Sequence, residues 1–186
     1  SSAASDVYKR QDEQQDAVVS MESVELDELA KDVVNNLRDH AEKKNISLDY
    51  CGIPINIQGV RHVLYEMLYN IADNAVRYTN PGGHIHIYVG RKGDRPFYRV
   101  EDDGIGIPKS EQKRIFERFY RVDKSHSRQT GGTGLGLAIT RNVVLMHKGS
   151  IRVHSKEGEG ATFIIRIPLN YISSVSYTHL TLPTNS

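Results

Sequence analysis

Leu68-Tyr69-Asn70-Ile71-Ala72-Asp73-Asn74-Ala75-Val76-Arg77-Tyr78-Thr79 carries two registers at once. At the helical advance per residue, Val63, Met67, Ile71 and Ala75 join Leu64, Leu68 and Ala72 in one broad apolar face. The spacing predicts a long helix over residues 60–78 that stops at Asn80-Pro81-Gly82-Gly83. Glu66, Asn70 and Asn74 follow one another at i, i+4 spacing along the border of that face, with Arg77 and Tyr78 one turn on. Asparagine is a poor helix former, so two of them beside a core need a reason. One reason is coordination, since an amide oxygen can join phosphate oxygens and water around Mg²⁺. Hydrogen bonding to nearby backbone explains the pair equally well when it is taken alone.

Working outward, Leu26, Leu29, Ala30, Val33, Val34, Leu37 and Ala41 predict an amphipathic helix over residues 26–43. Short strands are expected at residues 46–49 and 55–57, separated by a Cys-Gly-Ile-Pro turn. Beyond the long helix, residues 84–89 and 97–101 read as an antiparallel hairpin, and residues 150–154 and 161–167 as a second one. A short helix is expected near residues 109–119 and a longer one over residues 135–146. The element order implies an α/β (α+β) two-layer sandwich: a mostly antiparallel mixed sheet with helices packed on one face.

The chain has 186 residues, room for one domain with short appendages. Its 24 Lys plus Arg against 23 Asp plus Glu give no net basic drive toward nucleic acid, so any charge-based recognition must be local. The single cysteine, Cys51, excludes an internal disulfide and a cysteine-based zinc site, and reads as a small core or loop residue. No run approaches the roughly 18 apolar residues of a membrane span. The polar N-terminus has neither an initiating Met nor the apolar middle of a signal peptide, which suggests a fragment or a processed chain. Residues 1–22 are expected to be a linker or the end of a truncated preceding domain, and residues 23–170 the globular domain. Residues 171–186 resemble translated cloning sequence and are left out of the fold reading.

Two glycine-rich turns carry further chemistry. Glu101-Asp102-Asp103-Gly104-Ile105-Gly106-Ile107-Pro108 follows a strand, where a carboxylate can accept from an exocyclic amino group and glycines let backbone approach a flat ring. A plain turn with Pro108 opening the next helix is the alternative. Thr130-Gly131-Gly132-Thr133-Gly134-Leu135-Gly136-Leu137 opens a helix, and converging backbone N–H groups there suit phosphates. It matches neither a P-loop nor a dinucleotide fingerprint, and a flexible loop is its alternative. Between them, Arg118 or Arg121 could set a guanidinium on a terminal phosphate, while Phe116 and Phe119 read as packing anchors. The polar residues 124–130 read as a lid over a ligand.

The four segments in this order resemble the catalytic, ATP-binding domain of a bacterial sensor histidine kinase, with its GHKL ATPase-type fold. LYNIADNAVRYT resembles the N box, EDDGIGIP the first glycine box, IFERFYRVD the F box and GGTGLGLAIT the second glycine box. The wording of the boxes is most like that of phosphate- and cell-wall-sensing kinases. The resemblance implies ATP and Mg²⁺ as cofactors, with Asn74 on the metal and Asn70 near the phosphates. It places Arg77 (where a lysine is usual) and Tyr78 on the phosphate side, and Asp102 on the adenine amino group with Gly104 and Gly106 supporting the turn. Gly132, Thr133, Gly134, Leu135 and Gly136 would shape the nucleotide-facing end of the lid. Arg121, Asn70 and Glu66 are the catalytic candidates it implies, Arg121 on the γ-phosphate. Gln58-Gly59 stands where the family commonly has an acid.

Implied partners are the parent's own dimerisation and phosphoacceptor domain and a response-regulator receiver domain, with no nucleic acid. The parent is expected to be a homodimer in the cell membrane with this domain in the cytoplasm. None of the eight histidines has the family's phosphoacceptor context, so none is assigned to catalysis. Two other functions stay open at this point: an ATPase of the gyrase kind with Glu66 as its acid, and a non-catalytic nucleotide-binding or partner-docking module.

Overall fold

A computed structural model describes residues 21–120 and 136–169 of the chain. The elements run β1 (Glu22–Glu25), α1 (Leu26–Lys43), β2 (Ser47–Gly52), β3 (Asn56–Gly59), α2 (Arg61–Tyr78), β4 (His84–Lys92) and β5 (Arg95–Asp102). From within the second glycine box onward come α3 (Gly136–Met146), β6 (Ser150–Ser155) and β7 (Ala161–Arg166).

Five strands form one sheet in the order β2-β4-β5-β7-β6, with only the β2–β4 pair parallel. A parallel neighbour requires a crossover connection, and α2 lies within the one that joins β2 to β4. The inward residues alternate as a one-sided sheet demands: Ile85, Ile87 and Val89 on β4, Tyr98 and Val100 on β5, Phe163 and Ile165 on β7. They meet the apolar faces of α1 and α2, and α3 packs beside α2. Tyr98 is buried, and its hydroxyl donates to the Leu68 carbonyl at 3.0 Å, fixing β5 under the middle of α2. The layered architecture is the one the element order predicts.

Lys44, just past α1, donates from Nζ to the carbonyls of Val76 at 2.9 Å and Arg77 at 2.7 Å. A cation on the last carbonyls of α2 complements that end of the helix dipole. The end of α2, where the site lies, is thereby tied to α1.

Several local expectations are corrected. Glu22–Glu25 forms a strand that pairs antiparallel with β3 in a separate two-stranded sheet. Residues 109–119 are a chain of turns rather than a helix: successive bonds run from Glu111 to Pro108, Arg114 to Glu111 and Glu117 to Arg114, each spanning three residues, without an overlapping ladder. The buried face of α2 includes Val76, while Val63 is partly exposed. Cys51 is an exposed residue on β2, neither core nor loop. Phe116 packs on the core, but Phe119 is 70% exposed with φ 64° and lies outside the core cluster of the described residues.

Candidate functional site

Asp102 ends β5, and its Oδ1 accepts from the backbone N–H of Gly104 at 2.9 Å and of Ala161 at 3.2 Å. The first bond closes the glycine turn and the second ties the carboxylate to the start of β7. Burial lifts this carboxyl above the usual range, and the two amides pull it back without cancelling the effect. Asp103 does different work. It accepts from the His84 N–H at 2.7 Å and faces His84 Nδ1 at 3.1 Å. Burial raises its carboxyl, but the bonds with His84 outweigh that and hold it below the ordinary value. Asp103 secures the start of β4, while both bonds on Asp102 go to Oδ1.

Gly104 sits against the Tyr78 carbonyl so closely that any Cβ would overlap it, and Ile105 N–H donates to the same oxygen at 3.1 Å. The first glycine box is thus seated on the last residue of α2. Gly106, at φ 70°, lies against the Lys156 carbonyl, and Gly158 N–H donates to Ile105 at 2.8 Å. Gly160, at φ 90°, backs onto the Asp102 carbonyl, where a side chain would collide.

At the other end of the site, a Cβ on Gly136 would lie 3.8 Å from Cγ of Asn70. The start of α3 is therefore next to the first asparagine of the border row. Asn70 and Asn74 are half-buried, Tyr78 is half-buried, and Glu66 is exposed one turn before Asn70. Arg77 is half-buried and pairs with Asp73 through Nε at 2.9 Å. From Asn70 to Tyr78 the helix rises about 12 Å. The structure brings Asn70 and Gly136 together at one end of that span, and Tyr78, Gly104 and Asp102 at the other. Arg121, Gly132, Thr133, Gly134 and Leu135 lie outside the described residues.

Four contributors escaped the sequence reading. Ala161 and Gly160 position Asp102 from nearly sixty residues away; the only signal was the Glu157-Gly158-Glu159-Gly160 turn, read as a hairpin and nothing more. Ser155 Oγ accepts from Ile107 N–H at 2.8 Å and donates to the Gly160 carbonyl at 2.6 Å. Gln112 Nε2 donates to the carbonyls of Ile107 at 3.0 Å and Ser155 at 2.9 Å. Together they lock the glycine turn onto the β6–β7 hairpin.

The half-buried positions of the border row on α2, Asn70 and Asn74, are amides, while Glu66 is exposed and Asp73 is paired with Arg77. Among the described residues, no group of three or more His, Cys, Asp or Glu is placed to hold a metal. Half-buried amides instead of a carboxylate cage suit a metal that arrives with phosphate and water as its main ligands.

Residues 59–171 match the family described as histidine kinase-, DNA gyrase B-, and HSP90-like ATPase. The circadian input-output histidine kinase CikA of Synechococcus elongatus is 38% identical over 157 residues, covering 82% of this chain and 21% of that protein. The sensor-like histidine kinase SenX3 of Mycolicibacterium smegmatis is 38% identical over 149 residues, covering 80% of this chain and 39% of that protein. The chain thus spans well under half the length of these relatives. Among solved structures, a mycobacterial sensor histidine kinase, MprB, superposes with TM-score 0.71 at 28% identity, covering 80% of this chain and 97% of that one. The nucleotide-free catalytic domain of the histidine kinase ThkA gives TM-score 0.71 at 26% identity over 81% of this chain and 96% of that one. The chain belongs to the histidine kinase-, DNA gyrase B- and HSP90-like ATPase family, and within it to the catalytic domains of sensor histidine kinases.

Proposed function

We propose that this domain binds ATP with Mg²⁺ along α2 and presents the γ-phosphoryl group to a histidine on a separate helical domain of its parent. The supporting observation is the pairing of contacts at the two ends of one helix: Asn70 beside Gly136, and Tyr78 beside Gly104 and Asp102. A span of that length suits a nucleoside triphosphate laid along the helix.

Asp102 accepts from the adenine amino group with the oxygen opposite the one held by Gly104 and Ala161. Gly104 and Gly106 let the backbone pass under the ring. Asn74 would hold the metal ion, which would supply charge neutralisation at the phosphates. Asn70, Gly136 and the preceding glycine-box residues Gly132, Thr133, Gly134 and Leu135 border the phosphates. The main chain of Tyr78 lies at the Asp102 end, from which its side chain and that of Arg77 reach toward the phosphates, and Arg121 meets the developing charge on the γ-phosphoryl. Such a reaction needs positioning and charge stabilisation more than covalent help from the protein. Glu66, exposed one turn before Asn70, is the remaining acid on that row and is where a water or an incoming histidine could lose a proton.

The parent is a membrane-anchored homodimer that passes the phosphoryl group on to a response-regulator aspartate; this part of the reading rests on its sensor-kinase relatives. Among the described residues, no helix is long and apolar enough to cross a membrane. The test is to mix the chain with a helical hairpin carrying a phosphoacceptor histidine and with γ-labelled ATP. Label on the hairpin supports the proposal. Steady release of phosphate in its absence would favour a hydrolase like the gyrase branch, and nucleotide binding with neither outcome a non-catalytic module.

A further inference from the structure

The sheet face turned away from the helices has an ordered pattern of its own. Strand register lines its outward residues into rows. Past the Ser47–His84 pair at the nucleotide end, the first full row is Asp49, His86, Glu101, Thr162 and His154. The next is Cys51, Tyr88, Arg99, Ile164 and Arg152, followed by Gly90, Phe97, Arg166 and Ser150, and last by Lys92 opposite Arg95. Asp49 and Glu101 lie in the first full row, with Asp103 beside His84 at the same end; the other three rows hold five cations and no acid, and of the five Arg99 is paired with Glu101 at 3.0 Å. At the tip, Lys92 and Arg95 are like charges directly opposite each other, an arrangement that costs stability unless something anionic meets it. Asp94, in the turn between them, is the one acid of residues 91–95.

Apolar surface sits among these cations. Ile53 extends β2 beside Gly90, is 45% exposed, and is held by its N–H to the Val89 carbonyl at 3.2 Å. The Phe97 ring lies over Gly90, which has no side chain to displace it. The Arg99 guanidinium stands 4.5 Å from the Tyr88 ring centre and 5.6 Å from that of Phe97, so a cation already occupies the aromatic surface.

We propose that this outward face docks on an anionic phospholipid bilayer. Arg99 competes for the rings on which a nucleic-acid base would stack, and the exposed Ile53 has nothing to gain against a phosphate backbone. What remains is charge density around an exposed isoleucine, the chemistry of interfacial binding to acidic lipid. The chain leaves β7 at this end, with Ile167 N–H on the Pro96 carbonyl at 3.2 Å. The inference is independent of the nucleotide reading.

The test is co-sedimentation of the chain with phosphatidylcholine vesicles, with and without phosphatidylglycerol, over a salt series. Binding is expected only with phosphatidylglycerol and should fall as salt rises. Each cation near such a surface is worth about a fivefold change in partitioning, so Lys92→Gln with Arg95→Gln should weaken binding about 25-fold. Ile53→Ser, which leaves the charge intact, should weaken it further. Lys43→Gln with Lys109→Gln, exposed cations off this face, should leave it unchanged. Urea midpoints would verify that every variant is folded. Equal binding to both vesicle types, no binding, or the same loss from Lys43→Gln with Lys109→Gln overturns the proposal. So does retention on immobilised polyglutamate without vesicle binding, which would make the partner an acidic protein.

Discussion

Gly104 lies against the main-chain carbonyl of Tyr78 with no room for a methyl group between them. That contact joins the first glycine box to the asparagine helix, and the Ile105 N–H bond to the same carbonyl at 3.1 Å depends on it. Gly104→Ala must therefore push the turn away from α2. Overpacking of this kind costs about 1–3 kcal/mol. Urea unfolding should register that loss, and ATP affinity should drop with it because Asp102 is carried on the same turn. A variant with unchanged stability and affinity would show that the turn and the helix are not coupled.

Asp102→Asn separates binding from folding. The asparagine oxygen can still accept from Gly104 and Ala161, so the turn should hold, while its amide would face the adenine amino group donor to donor. Loss of a charged hydrogen bond, about 1.5–3 kcal/mol, corresponds to roughly 10- to 150-fold weaker nucleotide binding in calorimetry. Stability should move the other way. Burial raises the folded-state pKa of Asp102, so the folded protein disfavours ionisation, and the resulting penalty is full above that pKa and absent below the unfolded value of about 3.9. The variant should then be more stable than the parent at neutral pH, with the gap closing as the solution is acidified. A gap that widens on acidification would contradict the assignment.

Much of this was legible in the sequence for a physical reason. In α1 and α2 the apolar period is long and the stops are local, Lys44-Asn45 and Asn80-Pro81, so neighbouring residues alone determine the elements. The β4–β5 and β6–β7 hairpins are also local. Pairings between distant segments leave no such trace. In β1 only Val24 is buried, and its partner β3 lies beyond a whole helix and strand. The same limit applies at the site: Asp102 and its glycines stood out in a single box, but the Ala161 amide that orients the carboxylate comes from another hairpin. The run Pro108–Phe119 has the composition of a helix, yet its bonds close separate turns, and Gln112 is held by Ser155 on β6. Tertiary contacts there outweigh propensity.

Asn74→Ala tests the metal assignment. Asn74 is half-buried on the polar border of α2, away from the buried row of Leu64, Leu68, Ile71 and Ala75, so its truncation should leave the fold intact. ATP binding by the parent chain should tighten when Mg²⁺ is added. In the variant that gain should shrink by about tenfold or more, the worth of one ligand bond to a charged group. Paired calorimetric titrations with Mg²⁺ and with EDTA give the comparison. An equal Mg²⁺ effect in both proteins would move the metal to other residues.

His147 joins the end of α3 to the start of α2 and gives the fold a pH dependence of known sign. The ring is buried; Nδ1 bonds the Val143 carbonyl at 2.8 Å, and Nε2 accepts from Val60 N–H at 3.3 Å. That pair of partners requires the neutral ring with its proton on Nδ1, since a proton on Nε2 would point at another donor. Burial accordingly holds the pKa below the ordinary value, and the Val143 carbonyl only partly opposes it. With the folded pKa depressed, the unfolded chain binds the proton first. Stability from this group is complete above about pH 6.5 and is lost as the pH falls toward the folded pKa, at no more than about 1.4 kcal/mol per unit. His147→Gln, which keeps an acceptor but cannot titrate, should be less stable than the parent at neutral pH yet show a shallower fall in urea midpoint on acidification. If both proteins fall in parallel, another group carries the acid sensitivity and the link between α2 and α3 is not a titrating one.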